Sequence, residues 1–169
     1  MYDELSEVDI RKMQEEIDYR VRELRPQLIE EVQTARAFGD LSENYEYKCA
    51  KQAKNRNDSR IRYLERMIRT AKVIELKEDG GGDTVGLFDK VTIFNEMVKK
   101  EMNIQIVTTL RQDALKGLIS KESPVGKALM GHKVGERVQV EIDQTRKYFM
   151  EIKAIEKGFD DESLDISAY

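Results

Sequence analysis

The stretch Ala35-Arg-Ala-Phe-Gly-Asp-Leu-Ser-Glu-Asn-Tyr-Glu-Tyr47 decides the fold, because it interrupts two long helical patterns. Gly39 can adopt backbone angles that other residues avoid, so the chain can reverse its direction there. Three carboxylates follow closely, at Asp40, Glu43 and Glu46. The stretch therefore predicts the tip of a helical hairpin that carries acidic side chains.

The segment before the tip has the pattern of one long helix. Ser6 and Asp9 form a capping pair, and the helix is expected to run from there to about Ala37. Pro26 removes a backbone donor and predicts a kink near Arg22. Apolar residues recur at steps of three and four, at Ile10, Met13, Ile17, Val21, Leu24, Leu28, Val32 and Ala35. A stripe this narrow is typical of a coiled coil.

A second helix is expected after the tip, from about Ser42 to Ala71. Its apolar stripe consists of Tyr47, Ala50, Ala53, Ile61, Leu64, Ile68 and Ala71. Because the turn between the helices is short, they must pack as antiparallel neighbours. Each arm has roughly 30 residues, which gives a hairpin about 45 Å long at ~1.5 Å per residue. This predicts an N-terminal antiparallel coiled-coil hairpin domain over residues 1–76.

Charge is divided unevenly between the two arms. Residues 1–35 contain five Lys or Arg and ten Asp or Glu, whereas residues 36–72 contain ten and five. Attraction between the arms accounts for part of this division, and a basic face toward a phosphate backbone is a compatible second interpretation. The candidates for an RNA-facing basic patch are Arg36, Lys48, Lys51, Lys54 and Arg56.

The Gly80-Gly81-Gly82 run marks a flexible linker, residues 77–84, between two domains. Beyond it the apolar period changes to two, which is typical of β-strands, and strands are expected at 88–94, 104–110, 138–142 and 148–155. Ser123 and Pro124 predict the start of a short helix that ends near Met130. We therefore expect an α+β fold, in which an antiparallel sheet with one short helix follows the hairpin.

The second domain is expected to span residues 85–157, followed by an acidic, mobile tail over residues 158–169. Cys49 is the only cysteine, so no internal disulfide can form and a reduced compartment fits. The chain shows no signal-peptide pattern and no run near the ~20 apolar residues of a membrane span. We expect a cytoplasmic protein that does not contact membranes.

The acidic pair Asp40 and Glu43 has a structural and a chemical interpretation. An Asp at a helix N-cap with a Glu three residues later is a capping pair, and local sequence alone favours that interpretation. A turn needs only one cap, however, and two carboxylates can share a hard divalent cation. They are too few to hold Mg²⁺ alone, since it takes six oxygens. Any metal site must therefore be completed by another molecule.

Other candidate chemistry is sparse. His132 is the only histidine and has no neighbouring acid or cysteine, so no Ser/His/Asp or Cys/His arrangement is available. Tyr45 lies off the apolar stripe and could stack on a nucleobase, or simply lie on its own helix.

Several stretches together resemble the Gre family of bacterial transcript cleavage factors. The longest is the tip itself, Ala35-Arg-x-x-Gly-Asp-Leu-Ser-Glu-Asn-x-Glu-Tyr47. The other matches are Leu24-Arg-Pro26, Arg60-Ile-x-x-Leu-Glu65, Ala71-Lys-Val-Ile74, Ile119-Ser-x-x-Ser-Pro124, Ala128-Leu-x-Gly131 and Val134-Gly135. The resemblance covers nearly the whole chain, and the tip motif is long and specific.

The resemblance implies a transcription elongation factor with a C-terminal domain similar to the FKBP fold. That domain would dock on RNA polymerase at the mouth of its secondary channel, and the candidate docking residues are Ser120, Ser123 and Pro124. Capping and turn geometry is an equally open role for these three residues. The hairpin would pass down the channel, with a tip formed by Phe38, Gly39, Leu41, Ser42, Asn44 and Tyr45.

The resemblance also assigns the chemistry. Asp40 and Glu43 would help to hold a second Mg²⁺ in the active site of the polymerase, close to the 3′ end of the nascent RNA. The polymerase would then hydrolyse backtracked RNA, so this chain, expected to be a monomer, would stimulate cleavage without being an enzyme itself. The basic patch would face RNA or the channel.

Two tip residues depart from the family pattern and keep alternatives open. Phe38 stands where the family commonly has a basic residue or histidine, and Tyr45 replaces a small residue. Related proteins with altered tips inhibit polymerase, so a channel-blocking inhibitor is the main alternative, although the intact Asp40 and Glu43 favour cleavage. A prolyl isomerase or chaperone is a weaker alternative, because the second domain has no tryptophan or clear aromatic cluster.

Overall fold

The computed structural model describes residues 3–39, 43–75 and 82–168, which form two compact units. One unit contains Ile10–Ala71, and the other combines Glu4–Asp9 with the chain from Lys72 onward. The expected hairpin domain of residues 1–76 therefore loses both of its ends to the second unit. Strand β1 (Glu4–Leu5) pairs in parallel with β2 (Lys72–Val73), so the two ends of the helical segment join the second unit.

The first arm is helical throughout, but it is not one continuous α-helix. It consists of α1 (Glu7–Tyr19), a π-helical segment (Arg20–Leu24) and α2 (Arg25–Ala37). The predicted capping pair is confirmed, since Ser6 Oγ accepts from the Asp9 N–H at 3.2 Å and an Asp9 carboxylate oxygen accepts from the Ser6 N–H at 3.0 Å. The π segment lies immediately before Pro26, in the region around Arg22 where that proline predicts an irregularity in the helix.

The second arm is α3 (Tyr45–Thr70), and it packs along the first arm. Its N-cap is Asn44, so the helix begins later than the predicted Ser42. The buried residues include the predicted Ile61 and Leu64, but also the polar Asn57 and Arg60. The π segment rotates the helix face, which leaves the predicted seam residue Val21 37% exposed.

A polar layer lies between the arms around Asn57, where the second arm's stripe has no large apolar residue. Arg60 donates two hydrogen bonds to the Glu16 carboxylate, at 2.9 and 3.0 Å. Arg20 donates to the same carboxylate at 2.7 Å and to Asn57 Oδ1 at 3.0 Å. Asn57 Nδ2 in turn donates to the Arg20 carbonyl at 3.3 Å, which ties α3 to the first residue of the π segment.

The second unit is built on a five-stranded sheet in the order β5-β4-β3-β7-β6. The strands are β3 (Lys90–Asn95), β4 (Lys100–Val107), β5 (Leu118–Ser120), β6 (Arg137–Glu141) and β7 (Lys147–Glu156). The neighbouring strands are antiparallel, as expected, except for β4 and β5, whose parallel pairing makes the sheet mixed and corrects the prediction at this one pair.

The predicted short helix is α4 (Pro124–Leu129), and its position in the second unit is confirmed. Two details of the strand prediction need correction. Strand β4 ends at Val107, because Thr109–Arg111 forms a 3₁₀ turn, and β5 was not predicted since its three residues are too few to show alternation. A second 3₁₀ turn (Ala114–Lys116) leads into β5. The core of the unit consists of Val85, Val91, Ile93, Ile104, Ile106, Leu129, Val138, Val140, Met150 and Ile152.

The acidic tail was expected to be mobile, but residues 158–168 are held by hydrogen bonds within the second unit. Arg111, whose side chain is fully buried, lies 2.5 Å from a carboxylate oxygen of Asp160 and donates to the Asp161 carbonyl at 3.0 Å. Further along, the Ser167 N–H donates to the Leu110 carbonyl at 2.7 Å. The tail therefore belongs to the packed part of the unit.

Candidate functional site

The first arm ends at Phe38, directly before the tip. The C-cap of α2 is Phe38, whose N–H donates to the Ala35 carbonyl at 3.3 Å. Gly39 follows with φ of +138°, a backbone conformation that side chains disfavour and that glycine adopts readily. Asp40, Leu41 and Ser42 lie outside the described residues, so the structure gives no position for them.

The chain is described again from Glu43, an exposed carboxylate in a turn just before α3. Asn44 is the N-cap of that helix, and its Oδ1 accepts from the Tyr47 N–H at 2.9 Å. The alternative in which Asp40 caps this helix, with Glu43 as the third residue of a capping pair, is therefore wrong. Glu43 precedes the cap, and its carboxylate is open to solvent.

Two aromatic side chains flank the tip and are largely exposed. Phe38 is 74% exposed and Tyr45 is 77% exposed. A hydrogen bond with the Cys49 side chain, one helical turn away, raises the pKa of Tyr45. Tyr45 thus contacts a residue of its own helix and remains largely exposed to solvent.

The five candidates for the basic patch differ in their surroundings. Arg36, Lys48, Lys51 and Arg56 are exposed, and Lys51 Nζ lies 5.9 Å from the centre of the Tyr47 ring. Lys54 is only half-exposed and pairs with Asp58 at 3.0 Å. Asp58 also pairs with Arg25 of the first arm, at 3.0 Å.

The ion pair between Asp58 and Arg25 joins the two arms. At Asp58 the uneven charge of the arms therefore reflects attraction between them. Desolvation alone would raise the pKa of Asp58, but the hydrogen bonds from Lys54 and Arg25 outweigh it and hold the pKa below its ordinary value. The groove beside the tip has a volume of about 840 Å³ and carries the carboxylates of Glu30, Glu31 and Glu46. The acidic lining of that groove disfavours phosphate. Because Lys54 pairs with Asp58, the exposed members of the candidate basic patch are Arg36, Lys48, Lys51 and Arg56.

The three docking candidates in the second unit have local roles in the structure. Ser120 is 3% exposed, and its Oγ accepts from the Glu122 N–H at 3.1 Å. Ser123 caps α4 by accepting from the Gly126 N–H at 3.0 Å and donates to the Ser120 carbonyl at 2.7 Å. Pro124 is exposed at the first position of the helix. Ser120 and Ser123 thus have the local capping and turn roles that the sequence left open beside a docking role.

Asn44 is the residue at the tip whose importance sequence reasoning missed. In addition to capping α3, its Nδ2 donates to the Ala35 carbonyl at 2.7 Å, and it thus joins the two arms. The only sequence signal was an Asn, a favoured capping residue, directly before the helical pattern. The residues that the structure describes contain no group of three or more His, Cys, Asp or Glu able to hold a metal ion.

Comparison with known proteins identifies the family. Residues 4–73 match the family described as "Transcription elongation factor, N-terminal", and residues 79–157 match "Transcription elongation factor, GreA/GreB, C-term". The transcription elongation factor GreA of Caldanaerobacter subterraneus subsp. tengcongensis is 42% identical over 79% of this chain and 84% of its own. That of Mesoplasma florum is 38% identical over 89% of this chain and 96% of its own.

Among solved structures, GreA factor homolog 1 (Gfh1) of Thermus thermophilus aligns with 93% of this chain and 100% of its own, at 24% identity. The TM-score of this alignment is 0.42. No helix in the described part of the chain is both long and apolar enough to cross a membrane. The two family matches cover both units, and the chain therefore belongs to the Gre family of transcription elongation factors, which act on transcribing RNA polymerase.

Proposed function

We propose that this protein binds RNA polymerase, inserts its hairpin tip into the secondary channel and stimulates Mg²⁺-dependent cleavage of backtracked nascent RNA. The observation that carries the proposal is the exposed carboxylate of Glu43 at the end of a two-helix hairpin. Helix α3 has 26 residues, which corresponds to about 39 Å at ~1.5 Å per residue. An element of that length can deliver a side chain into a deep and narrow opening.

The tip suits a metal ion that is shared with another molecule. Glu43 makes an oxygen ligand of the kind that Mg²⁺ prefers, and Asp40 would supply another. Since Mg²⁺ takes six oxygens, carboxylates of the polymerase and the RNA would complete the set. When bound, this ion would supply water activation or stabilisation of the leaving oxygen. The role of Glu43 and Asp40 is to hold acidic oxygens at that position, so the hydrolytic active site remains that of the polymerase.

Other parts of the chain have supporting roles in this proposal. The exposed Arg36, Lys48, Lys51 and Arg56 would face the nascent RNA or the channel wall, where basic groups attract phosphate. The second unit would dock on the polymerase surface, with Pro124 as the exposed member of its motif. We propose that the protein acts as a monomer, because each arm buries its apolar stripe against the other arm of the same chain.

The test is RNA cleavage in a purified elongation complex that is stalled in the backtracked state. Wild-type protein should add cleavage over the intrinsic rate of the polymerase. Asp40→Asn and Glu43→Gln should each reduce that added rate by about 100-fold while polymerase binding is unchanged, because each removes a charge aimed at the reacting centre. Glu46→Gln is the matched control, since this exposed carboxylate near the tip lies inside α3, and it should retain most of the activity. Full cleavage by both acid variants would overturn the assignment.

The exposed Phe38 and Tyr45 favour one alternative, a factor that blocks the channel and inhibits the polymerase. Both side chains add bulk beside the acids. The same elongation complex distinguishes the two functions, because an inhibitor would slow nucleotide addition without releasing RNA fragments. Phe38→Ala would then relieve the inhibition, whereas a cleavage factor would keep its dependence on Glu43.

A further inference from the structure

We propose that Asn44 is a positioning residue for the acidic tip: its side chain ties the two helical arms together and thereby fixes where Glu43 stands. This inference rests on the function proposed above and extends it to a residue outside the acidic pair. Asn44 does not need to touch the metal ion or the RNA to have this effect.

The Asn44 side chain makes two hydrogen bonds in opposite directions. Its Nδ2 donates to the carbonyl of Ala35, in the last turn of α2, at 2.7 Å. Its Oδ1 accepts from the N–H of Tyr47, in the first turn of α3, at 2.9 Å. Within residues 35–39 and 43–47, no other hydrogen bond that the structure describes joins the two arms. The amide therefore fixes the separation of the arms at the base of the tip.

The chemistry of the side chain explains why this residue is an asparagine. Capping alone would be satisfied by Ser or Asp, both of which are favoured at the N-cap. An aspartate has no donor when ionised and would repel the Ala35 carbonyl, whereas a serine hydroxyl is too short to reach across while it caps. Of these three side chains, only asparagine has a donor and an acceptor on separate atoms, so that it can cap one arm while donating to the other.

The position of Glu43 follows from that bridge. Glu43 is bonded directly to Asn44, is exposed and lies in a turn. With Asn44 tied to both arms, the backbone that carries the Glu43 carboxylate has a fixed starting point. Loss of the Ala35 bond would let the arms separate at this end, and the carboxylate would then sample positions away from the reacting centre.

The decisive variant is Asn44→Ser, which keeps the cap and removes the bond to Ala35. The matched control is Asn55→Ser, the same substitution at an exposed position of α3. In the backtracked elongation complex, Asn44→Ser should lower the cleavage rate at saturating factor by about tenfold, because small misplacements of reacting groups are costly. The factor concentration that gives half the maximal rate should change by less than about twofold, since docking is untouched. The Mg²⁺ concentration for half-maximal cleavage should rise.

A second measurement on the free protein separates this inference from the proposed function. Spin labels at the exposed positions 31 and 51, in a Cys49→Ser background, report the distance between the arms. The distance distribution should broaden for Asn44→Ser and stay unchanged for Asn55→Ser. If the wild-type protein stimulates no cleavage, the proposed function fails, while the label distances still decide whether Asn44 holds the arms together.

Two outcomes would overturn the inference. The first is a label distribution in Asn44→Ser that matches the wild-type one, since the bridge would then not hold the arms. The second is a broadened distribution with an unchanged saturating cleavage rate, since the bridge would then be structural and would not position Glu43. A loss of apparent affinity alone would count against it in the same way.

Discussion

Gly126 of α4 lies tightly against the backbone that precedes the helix. A Cβ added there would lie 2.2 Å from the Ser120 carbonyl oxygen and 2.8 Å from the Lys121 Cα. Both are backbone atoms, so they cannot move aside as a side chain would. Gly126→Ala should lower the free energy of unfolding by about 3 kcal/mol, as expected for overpacking in a buried contact. Urea denaturation measures this effect.

Lys127→Ala is the control for that prediction, because Lys127 lies next in α4 and is exposed. Its ion pair with Glu122 is long, at 3.6 Å, and the loss should be below about 1 kcal/mol. Equal effects of the two substitutions would show that α4 does not need the close approach at Gly126.

At the residue scale, sequence reasoning succeeded where a single local signal was present. Ser6 and Ser123 were predicted as caps, and both predictions are confirmed. At the tip the prediction of the cap was wrong, because Asp40, Ser42 and Asn44 are all good capping residues within five positions. The choice of Asn44 depends on a bond to Ala35, nine residues earlier, and no local propensity reports that contact.

At the scale of the hairpin, the polar layer around Glu16 makes a prediction about stability. Arg60 is 5% exposed, and its charge is compensated by the Glu16 carboxylate. Glu16→Gln would remove the negative charge that this buried guanidinium contacts through two hydrogen bonds, which should lower the free energy of unfolding by about 2 kcal/mol after allowance for partial exposure. The control is Glu15→Gln, the same change at an exposed neighbour, and thermal unfolding followed by circular dichroism gives the measurement.

The same carboxylate gives the hairpin a dependence on pH. Burial alone would raise the pKa of Glu16, but the hydrogen bonds from Arg60 and Arg20 outweigh it and keep the pKa below its ordinary value of 4.5. The stabilisation is therefore complete above pH 4.5 and is lost as the pH falls through the lower folded-state pKa. The difference in stability between wild type and Glu16→Gln should shrink on acidification below pH 4.5, and a difference that stays constant would contradict the assignment.

The hairpin also shows how far periodicity can predict an element. The apolar stripes correctly predicted both helical arms and most of their buried positions, because steps of three and four define one face of a helix. They could not locate the π segment, since one inserted residue changes the phase without changing the composition. The π segment lies where Pro26 predicts a kink, and Asn57 bonds to its first residue, Arg20, from 37 residues away.

At the scale of the whole chain, the second unit is assembled from pieces that are distant in sequence. Glu4–Asp9 belongs to it together with the sheet and the tail. Sequence reasoning placed these residues with the hairpin because their capping pattern is local and the strand β1 has only two residues. What joins them to the sheet unit is a buried contact between residues 102 positions apart, Asp9 and Arg111.

Arg111 contacts both the N-terminal segment and the C-terminal tail within the second unit. Its side chain and that of Asp9 are fully buried and lie 2.7 Å apart, and Asp160 of the tail contacts the same guanidinium. Arg111→Met should lower the free energy of unfolding by about 3 kcal/mol or more, because Asp9 would remain buried without its partner. Hydrogen exchange should also accelerate at the Ser167 N–H, since the tail would lose its anchor.

The matched control is Arg137→Met, because Arg137 also forms a two-point ion pair, with Glu96 at 2.7 and 2.8 Å, but is exposed. In solvent such a pair contributes about 1 kcal/mol or less, so this variant should unfold close to wild type. If the two substitutions cost the same, burial is not what makes the Arg111 contact strong. The tail and the first strand would then have to be held mainly by other contacts, such as the bond from the Ser167 N–H to the Leu110 carbonyl.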